Sequence, residues 1–274
     1  MNDKELLKID NLTISFKKKI TPVKNLNIEN VRAGDLVVIV GSSGTGKSTI
    51  LNAIAGFYRP RNNINRFLEF LEKDQNELAY EGKIYIDGCD VTSSSPSIRD
   101  VALVMQKTFL YNHLNVYKNI ALPLSRNGES EQELKNKIES LLDKALLTKK
   151  MYEKISNLSG GQEQRVAIIK TIVRQPKIAL LDEAFANLDP TNRALMINMI
   201  TDELLSTNKT AVIYVTHNTS DLELADKIIL LYKKNEDEMV TENIIIEGNY
   251  KGEAFEKMKS EVNHIFQRII FIKK

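Results

Sequence analysis

The sequence predicts an α/β protein with a mostly parallel core sheet, an N-terminal antiparallel β subdomain and an inserted helical subdomain. Three observations carry that expectation. A glycine-rich stretch, "GSSGTGKST" (41–49), joins an apolar strand to a helix. Two strongly apolar, β-rich runs, "KIALLDEA" (177–184) and "TAVIYVTH" (210–217), flank the helical segment "PTNRALMINMITDELLS" (190–206), which is the rhythm of a βαβ unit. Between about 107 and 175 the periodicity turns helical.

The elements follow in order. "KELLKIDNLTISF" (4–16), "KNLNIENV" (24–31) and "DLVVIV" (35–40) read as strands, the first two antiparallel. "GKSTILNAIAGF" (46–57) has helical spacing, with Ile50, Leu51, Ile54 and Ala55 on one face. Residues 60–81 are polar apart from a short amphipathic piece, "INRFLEFLEK". "EGKIYIDGCDV" (81–91) suggests an edge hairpin, and "DVALVMQ" (100–106) a buried strand ending at Gln106. "NVYKNIALPL", "SEQELKNKIESLLDKALL" and "GQEQRVAIIKTIVRQ" supply the helical block. "DKIILLY" and "ENIIIEG" are later strands, and a final amphipathic helix is expected near 253–268. The expected division is one nucleotide-binding domain over 1–250, with the helical subdomain at about 107–175, and a short helical tail over 251–274.

Bulk properties narrow the function. Of 274 residues, 42% are hydrophobic and 27% charged, which suits a globular chain with a real core. Lys and Arg number 38 against 36 acids, and no basic block dominates, so nucleic acid is not an expected partner. The longest apolar runs are strand-sized, far short of the ~20 residues of a membrane-spanning helix, and the first ten residues, "MNDKELLKID", carry no apolar signal core. The lone Cys89 is read as an idle or buried thiol in a reducing compartment.

Two readings of the opening stretch stand side by side, a plain turn and a cradle for phosphate. The pattern G-x-x-x-x-G-K-[ST] is met by Gly41, Gly46, Lys47 and Ser48, between a strand and a helix. Glycines let successive N–H groups point inward as an anion nest, and the helix adds its positive end. Lys47 then supplies a point charge for the β- and γ-phosphates, and the Ser48 hydroxyl a ligand for Mg²⁺. These are the marks of a P-loop NTPase. Phosphoryl transfer also needs a metal carboxylate and a group to activate water. Asp182 and Glu183, at the end of the apolar "IALLD", fit those two roles; the alternative is a strand ending in a solvated acidic turn. "LSGGQ" (158–162) places Ser159, Gly160 and Gly161 at a second helix N-terminus, a second anion site in one chain. Two chains arranged head to tail would use both.

Here the residues resemble a family. In order and spacing, "GSSGTGKST", "VMQ", "LSGGQ", "IALLDEA", "NLDP" and "VTH" are similar to the six motifs of the nucleotide-binding subunits of ATP-binding cassette (ABC) transporters, from about residue 5 to 247. The resemblance implies two cassettes sandwiching two ATP molecules with Mg²⁺. It implies that Gly41, Ser42, Ser43, Gly44, Thr45, Gly46, Lys47, Ser48 and Thr49 cradle the nucleotide of one cassette. Ser159, Gly160, Gly161 and Gln162 would then touch it from the other, beside Asp189 of the D-loop. Gln106 would bind Mg²⁺ or the attacking water, Asp182 Mg²⁺, and His217 the γ-phosphate; Glu183 would be the base. Phe16 is the candidate to stack on adenine, with a core strand residue as the alternative. Two positions depart from the family pattern. Ala184 stands where proline is usual, and Ala186 replaces the D-loop serine.

The resemblance further implies an ATPase on the cytoplasmic face of the cell membrane, driving a separate transmembrane permease. The junction after Gln106 would receive a permease helix, on Phe109, Leu110, Tyr111, Leu114, Val116 and Tyr117. The alternative is a soluble ABC ATPase of iron–sulfur cluster assembly. A nucleotide-sensing scaffold without hydrolysis is a third reading, against which Glu183 stands.

Overall fold

A computed structural model describes residues 4–16, 20–60, 78–124, 130–207, 209–232, 242–247 and 260. Strand β1 (Glu5–Phe16) buries Leu7, Ile9, Leu12 and Ile14 on one face. Strict alternation would carry Leu12 to the opposite face from Ile9. A bulge restores it: Asn11 takes a left-handed φ of 51°, and the register shifts between Ile9 and Leu12. The remaining elements of the first half are β2 (Ile20–Arg32), β3 (Leu36–Gly41), α1 (Lys47–Ala55), β4 (Leu78–Ile86), β5 (Cys89–Asp90) and β6 (Val101–Val104). Gly82 of β4 lies opposite the bulge, where a Cβ would overlap the Asn11 carbonyl. β4 turns into β5 through Asp87 and Gly88, both at positive φ (53° and 78°), the geometry of a tight hairpin turn.

The second half contains α2 (Val116–Ala121), α3 (Glu131–Lys144), α4 (Gly160–Arg174), β7 (Ile178–Asp182), α5 (Pro190–Ile200), β8 (Ala211–Thr216), β9 (Lys227–Tyr232) and β10 (Glu242–Glu247). Two sheets result. One is antiparallel, in the order β2-β1-β4-β5. The other, β10-β9-β3-β8-β7-β6, is parallel from β9 to β6, with β10 antiparallel at its edge. The expected mostly parallel core sheet and antiparallel N-terminal subdomain are both present.

The parallel strands are apolar on both faces because both are covered. Val37, Ile39, Leu180, Ile213 and Ile229 pack with α1 against the antiparallel sheet. Val38, Val40, Leu181, Val212 and Leu230 face the other way, into a core shared with α2, α3 and α4. Caps set the helix starts: Ser130 and Glu133 form a capping box on α3, and Asp189 caps α5 ahead of Pro190.

The expected edge hairpin is present, with the two-residue β5 outermost and β4 between it and β1. Several other expectations need correction. β6 ends at Val104, so Gln106 lies two residues beyond it. The helical block does not begin at 107, since helix resumes only at Val116. Val116 is completely buried and belongs to the core, not to a docking surface. Cys89 is exposed rather than buried. The amphipathic piece at 64–73 and the helix expected near 253–268 lie outside the described residues, Ser260 excepted.

Candidate active site at the carboxyl edge of the parallel sheet

Strand register brings the sequence candidates together. Val40 is opposite Thr216, Asp182 opposite Val215, and Val104 opposite Leu181. The residues just after β3, β6, β7 and β8 therefore emerge at one edge, the carboxyl ends of the parallel strands. Open α/β sheets bind ligands there. These residues are the 41–49 loop, Gln106, Asp182 with Glu183, and His217.

The loop is shaped by its glycines. Gly44 and Gly46 hold φ of 77° and 88°, which L side chains rarely adopt. At Gly46 a Cβ would overlap the Pro22 carbonyl, and at Gly41 it would sit 2.6 Å from Leu231 O. At Gly44 it would meet nothing within 4 Å, so the loop's outer side is open to a ligand. Buried Thr45 donates to Ser42 O at 2.8 Å and holds the curl.

Lys47 is the first residue of α1 and is 7% exposed, not the exposed loop residue that its motif suggests. Its ammonium donates to Gly41 O and Ser42 O, each at 2.8 Å. Burial lowers its pKa, and the Glu183 and Asp182 carboxylates oppose that. Asp182 moves the other way: burial raises its carboxyl pKa, a hydrogen bond from Ser48 lowers it, and Glu183 raises it again. A phosphate placed here would be met by a lysine and loop N–H groups. A hard oxygen pair, the Ser48 hydroxyl and the Asp182 carboxylate, stands beside them. That donor set fits Mg²⁺, which takes few protein ligands and completes its shell with water and phosphate oxygens. No cluster of three or more His, Cys, Asp or Glu side chains suited to a metal occurs among the described residues.

Glu183 has a left-handed φ of 47°, a conformation that costs a non-glycine residue roughly 1–3 kcal/mol and concentrates at functional sites. Its N–H donates to Val215 O at 3.1 Å, which ties the strained residue to β8. Its carboxylate lies 3.4 Å from Nδ1 of His217. An exposed imidazole and a half-buried carboxylate thus face each other above the sheet.

Ser159 caps α4, accepting from Gln162 N–H while its own N–H donates to Gln162 Oε1 at 2.9 Å. Gly160 is exposed and a Cβ there would meet nothing within 4 Å; at Gly161 it would meet Asn187 O at 3.3 Å. The signature therefore lies against the segment before Asp189 and leaves its outer face bare. Phe16, at the end of β1, is half-buried and meets Tyr58 edge-on, with ring centroids 5.5 Å apart. Sequence reasoning missed Arg99, Arg193, Asn119 and Asp221. Arg99 is 1% exposed and donates to the carbonyls of Ala53 and Ile54 at the end of α1. Asn119 is completely buried and holds the 111–115 segment through Tyr111 N–H and the carbonyls of Tyr111, Leu114 and Asn115. The available signal for such residues was a polar group inside an apolar helical or strand-leading run.

A second surface opens beyond Gln106. A cleft of about 140 Å³ is lined by Met105, Thr108, Phe109, Leu110, Pro123 and Lys170, among others. Phe109 is 69% and Tyr111 48% exposed, whereas Leu110, Leu114 and Tyr117 are half-buried.

The family profile described as ABC transporter matches residues 23–186, from inside β2 through the P-loop, the signature and the Asp182–Glu183 pair. The chain belongs to the ABC transporter family. The spermidine/putrescine import ATP-binding protein PotA of Bacteroides thetaiotaomicron is 35% identical over 230 residues, covering 84% of this chain and 45% of that protein. The sn-glycerol-3-phosphate import ATP-binding protein UgpC of Psychromonas ingrahamii is 35% identical over 82% of this chain and 55% of its own length. The chain thus spans about half the length of these curated relatives. The structure of CbiO1 from Clostridium perfringens, part of the ABC transporter complex CbiONQ, shares the fold at a TM-score of 0.70 with 22% identity, covering 97% of both chains. A bacterial Atm1-family ABC exporter with ATP bound matches at 0.71 and 24%, over 98% of this chain and 42% of that one. Membership of the ABC family accounts for the two helix-start glycine motifs and makes ATP the ligand implied for the P-loop.

Proposed function

We propose that this chain is the ATP-binding and ATP-hydrolysing subunit of an ABC importer, driving a separate transmembrane permease. The observation that carries the proposal is the Glu183–His217 pair beside Lys47 and Asp182, at the edge where four strands end. The import direction and the permease partner rest on the relatives, which are named as import ATP-binding proteins. Those names also favour transport over the soluble assembly-type alternative. Similar identity, 34–35%, links the chain to relatives named for polyamine, glycerol phosphate and trehalose import. On this reading the cassette carries the drive, and the choice of substrate lies in its partners.

In this reading Lys47 and the N–H groups of Gly41–Thr49 hold the β- and γ-phosphates, and Phe16 stacks on the adenine. Ser48, Asp182 and Gln106 hold Mg²⁺, which neutralises phosphate charge when bound. Glu183 takes a proton from water as the water oxygen bonds to the γ-phosphorus and the bond to the bridging oxygen breaks, releasing ADP. His217 orients Glu183 and meets the γ-phosphate. Ser159, Gly160, Gly161 and Gln162, bare on their outer face, complete the site of a second cassette placed head to tail, with the Asp189 turn between them. Among the described residues no helix is long and apolar enough to cross a membrane. Attachment to the cytoplasmic membrane face through the cleft beyond Gln106 follows from the permease reading.

The test is phosphate release by the purified chain with Mg²⁺ and ATP, compared with Glu183→Gln. A general base contributes ~10²–10⁴-fold, and the loss should fall in that range with ATP binding retained. Near-normal turnover in the variant would remove Glu183 from the mechanism.

A further inference from the structure

Behind His217 lies a buried polar cluster to which the proposed chemistry assigns no role. Asp221, in the helical segment Thr219–Leu224, is 2% exposed. Its carboxylate accepts from Tyr214 Oη at 2.8 Å and from Thr216 Oγ1 at 2.7 Å, and forms an ion pair with Arg193 of α5. A carboxylate so deeply buried is costly unless it is paired and hydrogen-bonded, and three donors meet that need.

The donors are placed around the catalytic pair. Thr216 Oγ1 gives its proton to Asp221 and accepts from Asn218 N–H at 3.0 Å. His217 stands between those two residues, so its backbone is bracketed by a hydroxyl that Asp221 orients. Asn218 O in turn accepts from Asp221 N–H at 3.2 Å. The His217 side chain is 67% exposed, so packing does little to hold the imidazole and the turn beneath must set its position. On the other flank, the Tyr214 ring meets Phe185 edge-on at 5.0 Å, two residues past Glu183. Arg193 N–H donates to Asp189 O at 2.8 Å in the first turn of α5. One carboxylate thus links the His217 turn, the strand beneath Glu183 and the helix that begins at Asp189.

We infer that Asp221 is a positioning residue: it fixes the His217 turn against Glu183 and, through Arg193, fastens that turn to the start of α5. The inference rests on the proposed ATPase reading.

The experiment measures kcat, KM and equilibrium ATP affinity for wild type, Asp221→Asn, Thr216→Val, His217→Ala and the double variant Asp221→Asn/His217→Ala, with single-turnover conditions for the slow variants. A displacement on the order of 1 Å at a reacting group costs about 10²-fold, so Asp221→Asn should lower kcat by about 10- to 100-fold. Nucleotide affinity should stay within about twofold, since the loss is confined to the transition state. Thr216→Val should reproduce the loss in kcat while keeping the buried ion pair, which covers the case in which Asp221→Asn does not fold. In the His217→Ala background Asp221→Asn should add nothing, because groups acting through one another are not additive. Unchanged kcat in both single variants would overturn the inference. So would losses that multiply in the double variant, or a parallel fall of affinity and kcat. A wild type that releases no phosphate would instead overturn the underlying ATPase reading.

Discussion

At Lys47 a single ammonium satisfies two loop carbonyls, Gly41 O and Ser42 O, from a position almost closed to solvent. Lys47→Ala therefore acts on two levels. It removes the cation of the nest, so ATP binding should weaken strongly and hydrolysis should stop. It also leaves two carbonyls without a charged donor, a loss of roughly 1–3 kcal/mol, partly offset because a desolvated ammonium is no longer buried. Isothermal titration and a thermal melt on the same sample check both: a folded protein with a modestly lower Tm and no measurable ATP binding is expected. Unchanged nucleotide affinity would take Lys47 out of the site. The identity of the loop residues gathered here was legible in the sequence, because the P-loop pattern names them. The burial of Lys47 was not, because it depends on how the folded loop turns the Gly41 and Ser42 carbonyls onto the ammonium. Glu183 was legible as a residue type, but its left-handed backbone and its bond to Val215 O on the neighbouring strand were not, since both belong to the folded sheet.

Among the elements, α1 matters most to the site, and its far end depends on a residue outside it. Arg99 donates to Ala53 O, Ile54 O, Thr92 O and Ser94 O, and so satisfies the last carbonyls of α1 while placing a cation at its negative end. A Cβ at Gly56 would press on the Arg99 guanidinium, so the helix closes with a glycine there. Arg99→Met keeps the stem and removes the donors to these carbonyls; Ala53 O retains the Gly56 N–H, so the cost falls on the others, at roughly 1–3 kcal/mol for each one left unpaired before relaxation. Urea unfolding should show a clear fall in the midpoint, with ATP affinity little changed because Lys47 lies at the opposite end of the helix. An unaltered midpoint would show that water replaces the guanidinium without loss. The strands and helices themselves were largely legible, since period-2 and 3.6-residue apolar patterns survive in β1, β3, α3 and α4. The bulge at Asn11 was not, because it is set by cross-strand register.

On the scale of the whole molecule, the chain presents two bare surfaces, the outer face of the signature and the cleft beyond Gln106. Phe109 and Tyr111 project at the cleft, and the Lys170 ammonium lies 5.4 Å from the Tyr111 ring centroid. Exposed aromatic clusters of this kind mark interaction sites. Tyr111→Glu should leave the isolated chain folded and able to bind ATP, because nearly half of the side chain is in solvent. Co-sedimentation with membranes that hold the permease should be lost; equal recovery of variant and wild type would place the docking surface elsewhere.

In the proposed function the catalytic site is divided between two cassettes, with Lys47 and Glu183 from one and Ser159 from the other; a second copy of this chain is the partner to test. Blocking hydrolysis with ATP bound should trap the closed pair, so the most direct measurement is the mass of Glu183→Gln by light scattering with and without Mg²⁺ and ATP. The expected result is a monomer without nucleotide, a stable dimer with ATP, and loss of that dimer when Ser159 is also replaced by Arg. A monomer at every ATP concentration, in a variant shown to bind ATP, would contradict it.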